Sequence, residues 1–306
     1  MPAAGLLTAP IVARAVPPDS ISFTALASCE FRAIAAEHPD PKLRNGDTLA
    51  GRLCSPALLP REYEAARDVI DDDPEAYAGY FYVNARTRYI DARLEKAAVA
   101  SVAQVVVLGA GFDSRAYRFH DAYPNLKFFE VDLPAVIEAK KRAVERALGR
   151  LPADVHYVAM DFNTQSLSDV LPVAGYDQRR RTMFILEGVS MYVPERAVAA
   201  TLDFISGNSP SGSEIVYDYV LRRVVQGDFE GLYAARKEAL GVARLGEPFV
   251  SGWTPQEAAG FTLRHGLAVR EDLDAAALTR RYLTGTGGKP DGRIPDWYRV
   301  IDAEVR

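Results

Sequence analysis

The sequence predicts an α/β fold built on a doubly wound, mostly parallel β-sheet. Three observations carry this expectation. Short apolar runs rich in β-branched residues recur between about residues 100 and 220, amphipathic helical patterns separate them, and the runs end in Gly or an acidic residue. Strands alternating with helices must pair in parallel under helices on both faces. Such strands are buried on both sides and read as continuous apolar segments.

Each element has its own signal. Gln104–Leu108 reads QVVVL, and Gly109 follows at once. Lys127–Asp132 reads KFFEVD and ends in an acid. Pro134 then suits the first position of a helix. In that helix Val136, Ile137, Lys140, Ala143, Val144, Ala147 and Leu148 make one stripe at helical spacing. HYVAMD (156–161), TMFILE (182–187) and EIVY (214–217) are further strands. Pro194 opens a helix with Val198, Leu202 and Ile205 on one face, and Pro255–Arg264 and Leu267–Arg270 read as a helix and a strand. Upstream, one helix starts at Ser22-Phe23-Thr24-Ala25 and another covers Pro74 to about Lys96, with Pro39, Pro41, Pro56 and Pro60 between them.

The predicted organisation is one domain over 20–306: a helical preface (20–100), a core (101–219), a lid insertion over the site (220–252) and a C-terminal part of the core (253–306). Residues 1–19 are rich in Pro and Ala and are expected to be poorly ordered.

Composition narrows the function. A hydrophobic content of 48% and a charged content of 25% over 306 residues fit a globular protein. A net charge of −5 provides no field that gathers nucleic acid or anionic lipid. The main basic cluster, Arg179-Arg180-Arg181, reads as a solvated loop. Two cysteines, Cys29 and Cys54, suggest neither a disulfide framework nor a zinc site, and their dispersal favours a reducing compartment. The N-terminal apolar stretch is broken by Pro10 and Arg14, and no apolar run approaches the roughly 20 residues that span a bilayer. The expectation is a cytoplasmic chain with no metal, nucleic acid or membrane partner.

In open parallel sheets ligands bind beyond the carboxyl ends of the strands, and four strand ends carry suitable residues. Gly109-Ala110-Gly111 lets the backbone approach a ligand, or makes a plain tight turn. A dinucleotide fingerprint needs a third glycine where Ser114 stands, which argues against a nicotinamide cofactor. Asp132, about 20 residues on, suits a ribose diol, or caps the helix opening at Pro134. Glu130 shares its parity and either assists or forms a buried ion pair. Asp161-Phe162 suits an adenine, the carboxylate accepting from the amino group, or merely starts a loop. Glu187 is costly to bury unpaired. It meets a cationic group or the substrate, or forms a structural ion pair.

Taken together, the segments Ser22-Phe23-Thr24-Ala25, Ala85-Arg86-Thr87-Arg88, VVVLGAGFDSRAYR (105–118), FFEVDLP (128–134), MDF (160–162), ILEGVSMYVP (185–194), FVSGWTPQEAAGFTLRHGLAV (249–269) and RRYLTG (280–285) resemble the leucine carboxyl methyltransferase family. The closer resemblance is to its bacterial branch of small-molecule O-methyltransferases, and it covers roughly residues 20 to 300. It implies a class I methyltransferase, Rossmann-like fold and S-adenosyl-L-methionine as cofactor. It also implies roles: Arg86 for the methionine carboxylate, in preference to Arg88; Gly109, Ala110 and Gly111 beneath the methionine part; Asp132 for the ribose; Asp161 and Phe162 for the adenine; and Glu187 for the amino group. Arg86 is alternatively an exposed helix arginine in an ion pair. The sequence departs from relatives after Asp161, where charged residues are missing, and over the Arg-rich 175–182. Nothing in it points to a protein C-terminal leucine as acceptor.

Methyl transfer from a sulfonium is an in-line displacement in which the protein chiefly aligns the reactants. A carboxylate acceptor needs no base at neutral pH, whereas a hydroxyl does. Of the four histidines (His38, His120, His156 and His265) none sits convincingly at the site, so no histidine base is expected. Tyr192, just past the fourth strand, is a candidate to touch the acceptor, with simple packing as its alternative. The expected function is methylation of a carboxyl or hydroxyl of a small metabolite, with Glu187 and Tyr192 as the catalytic candidates. The alternatives are a carboxyl methyltransferase of a peptide or protein terminus, a nicotinamide-dependent oxidoreductase and a non-catalytic donor-binding module. The oligomeric state is not encoded in any recognisable pattern.

Overall fold

A strand flanked by helices on both sides buries every side chain, so its two alternating faces must feed two separate cores. The structure is a computed structural model that describes residues 22–55, 58–162 and 164–306. Residues 1–19, expected to be loose, lie outside the described residues. In chain order the elements are α1 (Phe23–Ala36), α2 (Ala50–Leu53), α3 (Tyr63–Asp72), α4 (Ala78–Val99), β1 (Gln104–Leu108), α5 (Arg115–Arg118), β2 (Lys127–Asp132), α6 (Pro134–Leu148), β3 (Val155–Ala159), α7 (Leu167–Val170), β4 (Thr182–Leu186), α8 (Glu195–Gly207), β5 (Glu214–Val220), α9 (Arg222–Val225), α10 (Ala235–Arg244), α11 (Pro255–Arg264), β6 (Leu267–Leu273), α12 (Ala275–Tyr282) and β7 (Tyr298–Val305).

The strands form one seven-stranded sheet in the order β3-β2-β1-β4-β5-β7-β6. The first five strands pair in parallel, and β7 runs antiparallel between β5 and β6. The chain enters at β1, winds outward to β3, and returns to the other side of β1 with β4. That reversal between β1 and β4 opens a crevice at their carboxyl ends. Val105, Val107, Met183 and Ile185 face one core with residues of α1, α4, α6 and α12. Val106, Leu108, Phe184 and Leu186 face the other with residues of α8 and α11.

Several details differ from the sequence expectation. β3 and β4 stop at Ala159 and Leu186, so Asp161 and Glu187 stand just past the strands. Pro194 is the N-cap of α8 and not its first helical residue. β5 continues to Val220 and takes Asp218 into the sheet. β7 was not predicted. Its run YRVIDAEV carries charges that break the apolar signal, and those charges are answered by distant residues: Asp302 is ion-paired with Arg93 of α4 at 3.0 Å and with Arg270 of β6 at 2.7 Å.

The cysteines also correct the expectation. Cys29 of α1 and Cys54, the C-cap of α2, form a disulfide with Cα atoms 6.2 Å apart. A separation of 25 residues says nothing of this, because the packing of α2 on α1 creates the proximity. The count of cysteines therefore does not support a reducing compartment.

The apolar stripe of α6 contains one cation. Lys140 is fully buried and pairs with the equally buried Glu130 of β2 at 2.7 Å, and Tyr117 donates to the other carboxylate oxygen at 2.8 Å. Of the two possibilities for Glu130, the structure shows the buried pair. Removing one partner strands the other charge in the core. Lys140→Met is expected to lower unfolding stability by about 3–5 kcal/mol, read from urea denaturation. Adding Glu130→Gln should restore much of the loss. Equal stability of Lys140→Met and wild type would contradict this account.

Candidate active site

A cavity of about 1030 Å³ lies over the carboxyl edge of the sheet. Its wall brings together every residue the sequence singled out for the site: Arg86, Gly109, Ala110, Gly111, Asp132, Asp161, Phe162, Glu187 and Tyr192. Arg88 lies elsewhere, with its guanidinium on the Tyr282 backbone carbonyl and over that ring. None of the four histidines lines the cavity. His120 pairs with Asp154 at 2.7 Å, and His156 stacks on Phe129.

The floor begins at the turn after β1. Gly109 and Gly111 adopt φ of +68° and +42°, in the left-handed region. A Cβ on Gly109 would stand 2.3 Å from Val189 Cγ2. The amides of Gly109 and Ala110 donate to the Val131 carbonyl at 2.8 and 3.0 Å. Ser114, in the place of a third glycine, donates to Asp47 at 2.5 Å. The helix that follows, α5, has only four residues. The long helix that receives a pyrophosphate in dinucleotide folds is therefore missing here.

Asp132, the last residue of β2, accepts from the Gly111 amide and from the Leu133 amide, each at 2.7 Å. Burial pushes its pKa up, and the two amides oppose that shift. The N-cap of α6 is Leu133, so Asp132 is not the helix cap. It braces the glycine turn from the side facing the cavity. Asp161 and Phe162 line the cavity beyond β3.

Glu187 sits between two guanidinium groups. Arg86 donates from Nε to one oxygen at 2.9 Å, and Arg115 donates from Nη1 to the other at 2.6 Å. Burial alone would raise its pKa, but Arg115 and Arg86 hold it at about 2. Arg86 also bonds Asp218 of β5 at 2.5 Å; Tyr82 donates to the same Asp218 oxygen at 2.9 Å, and the Gly188 amide to the other at 2.7 Å. Arg115 reaches Asp91 of α4 at 2.7 Å and also pairs with Asp113. Arg86 thus belongs to a buried network and is not an exposed helix arginine.

The roof comes from the region after β5. Glu247 accepts from the Phe23 amide at 2.8 Å, the Thr24 amide at 3.1 Å and the Ser22 hydroxyl at 3.0 Å. This carboxylate therefore binds the first turn of α1, where an anion is favoured. Glu238 of α10 also faces the cavity. Burial pushes its pKa up to about 7, against a hydrogen bond from Tyr298 and the charge of Arg86. The sequence singled out neither acid, nor Arg115, nor Asp218. The last two had a visible signal, one inside the glycine segment and one just past EIVY. Glu238 and Glu247 stand among other charges on short polar segments and had none.

Among the described residues no cluster of His, Cys, Asp and Glu is arranged to hold a metal ion, and no helix is long and apolar enough to cross a membrane.

Residues 25–206 match the leucine carboxyl methyltransferase family. A protein of Streptomyces coelicolor, provisionally named an S-adenosyl-L-methionine-dependent methyltransferase, is 29% identical over 284 residues, 92% of each chain. Bacillus subtilis YktD, given the same provisional description, is 32% identical over 196 residues, 62% of each chain. The crystal structure of a duf574 family protein from Streptomyces avermitilis has the same fold, with a TM-score of 0.56 at 14% identity over 92% of this chain and 97% of that one.

Glu187 gives the site a pH signature. Its folded pKa is depressed from 4.5 to about 2, so the stability it contributes is present above 4.5 and is lost as the pH falls through about 2. Urea midpoints should show Glu187→Gln well below wild type at neutral pH, with the gap closing as the medium is acidified across that window. A gap independent of pH would contradict the assignment.

Proposed function

The chain belongs to the leucine carboxyl methyltransferase family and is an S-adenosyl-L-methionine-dependent methyltransferase of class I fold, and from that premise we propose that it methylates an oxygen of a small-molecule acceptor. The observation that carries the reading is one cavity walled by an ionised carboxylate, a guanidinium, a backbone turn only glycine can make, and a carboxylate at the second strand end.

These residues fit the donor. When bound, S-adenosyl-L-methionine supplies a methyl group already activated by its sulfonium charge. Glu187 holds the amino group, since a carboxylate with so low a pKa stays anionic at any physiological pH. Arg86 holds the carboxylate, for which a planar guanidinium is well shaped. The turn at Gly109, Ala110 and Gly111 lies beneath the methionine chain. Asp132 takes the ribose hydroxyls; its two amide contacts keep it oriented before the ligand arrives. Asp161 and Phe162 take the adenine. Tyr192 stands on the acceptor side, packed on Phe249 with ring centroids 5.4 Å apart. The segment from α9 to Glu247 lines the site from above. The protein's contribution is alignment of oxygen and methyl carbon.

A ligand at 100-fold its dissociation constant stabilises by about 2.7 kcal/mol, which for a chain of this size raises the melting midpoint by several degrees. S-adenosylhomocysteine should produce this shift and NAD should not. Asp132→Ala should weaken S-adenosylhomocysteine by about 10–100-fold, as expected for a lost hydrogen bond to a charged group. Undiminished affinity would remove Asp132 from the site. The acceptor class is read with radiolabelled donor. Methylated small molecules support the proposal, whereas base-labile methyl esters formed only on peptides ending in leucine would overturn it.

A further inference from the structure

The cavity has a second polar pole away from the strand ends. Glu238 projects from α10, and its Oε1 accepts from the Tyr298 hydroxyl of β7 at 2.5 Å. Its Oε2 is buried and has no hydrogen-bond partner among the described residues. The neighbouring cation on the same helix, Lys237, is committed to Asp73. The charged and titratable groups set against Glu238 are Arg86 of α4, Tyr192 beyond β4 and Tyr298 of β7; Tyr82 of α4 stands against Tyr298, and Glu247 on the roof against Tyr192. Arg86 is the one cation in that set, and it is already engaged by Glu187 and Asp218.

A buried carboxylate oxygen with an empty acceptor position is costly unless something donates to it. Beside it, Tyr82 and Tyr298 stack with centroids 4.0 Å apart and planes 8° apart, and Tyr192 lines the same cavity. These surroundings suit a flat aromatic ligand that carries a hydroxyl.

We propose that Glu238 is the general base of the transfer and that the acceptor is a phenolic hydroxyl rather than a carboxylic acid. This rests on the methyl-transfer reading above and goes further by naming a base and an acceptor class. The hydroxyl donates its hydrogen bond to Glu238 Oε2. As the oxygen–methyl bond forms, the methyl–sulfur bond breaks and its electron pair returns to sulfur, which loses its positive charge. The hydroxyl proton passes to Glu238, leaving a neutral carboxyl, a methyl ether and a neutral thioether; the carboxyl gives its proton to water after the products leave. A pKa near the working pH is what such a base requires. A carboxylate acceptor needs no base and would bring a second negative charge against Glu238. Tyr298 is a positioning residue: its hydrogen bond to Oε1 fixes the carboxylate and favours the ionised form.

The test follows the carbonyl stretch of protonated carboxyls by infrared difference spectroscopy through the neutral pH range. It uses the S-adenosylhomocysteine complex of wild type, Glu238→Gln and Tyr298→Phe. Methylation of catechol and of benzoate is assayed in parallel, and donor affinity serves as the control for folding. Wild type should show one carboxyl titrating near 7. Glu238→Gln should lose that band, keep its donor affinity and methylate catechol about 100-fold more slowly, the lower end of what a general base contributes. Tyr298→Phe should move the midpoint upward, which loss of packing alone would not do. The infrared titration decides even where neither probe is turned over. A wild type without the neutral band, a Glu238→Gln variant with undiminished catechol activity, or preference for benzoate would overturn the base assignment. Failure of wild type to bind S-adenosylhomocysteine would overturn the methyl-transfer reading itself.

Discussion

Everything at this site depends on a buried charge network in which Glu187 is held between Arg86 and Arg115. Charges removed from water are tolerable only when paired and hydrogen-bonded. Here the pairing continues outward, from Arg86 to Asp218 and from Arg115 to Asp91 and Asp113. The network joins α4, the loop after β1 and the start of α5, the end of β4, and β5. The helical preface is thus part of the site, because α4 delivers Arg86 and Asp91 to a sheet edge that has no cation of its own on β4 or β5. The result is a fixed anion and a fixed cation side by side, which is the complement of an amino acid's two charged ends. A network held this way is oriented before the ligand arrives, so binding does not have to order it.

The roof obeys a related constraint. Glu247 satisfies donors at the first turn of α1, so the region after β5 and the start of the preface hold each other in place. Between that clasp and the charge network lie the tyrosines and Glu238. The two acids of the roof differ in pairing. Glu247 is saturated by hydrogen bonds, and Glu238 has one oxygen to spare. That difference separates a structural carboxylate from one available for chemistry.

Much of the core was legible because its signals are local. QVVVL followed by Gly109, and KFFEVD ending in Asp132, announce a buried strand and its cavity-facing end within six residues. Arg86 needed the family resemblance, because an arginine in a helix looks the same whether it faces water or a buried carboxylate. β7 was hidden by Asp302 and Glu304, whose countercharges Arg93 and Arg270 lie far away in sequence. The disulfide was hidden because helix packing and not spacing joins Cys29 to Cys54. Glu238 was hidden for the same reason: its environment is made by α4 and β7, and only the folded chain shows that one of its oxygens is buried.

The central claim is that the Arg86–Glu187–Arg115 network is there to receive the donor's amino acid end. Titration calorimetry of S-adenosylhomocysteine into wild type and Glu187→Gln at neutral pH tests it most directly. The account predicts binding to wild type and a loss of about 10–100-fold in the variant, the expected range for one charged hydrogen-bond partner. Equal affinity in a folded variant would mean that the network is structural only, and that the donor's ammonium group binds elsewhere.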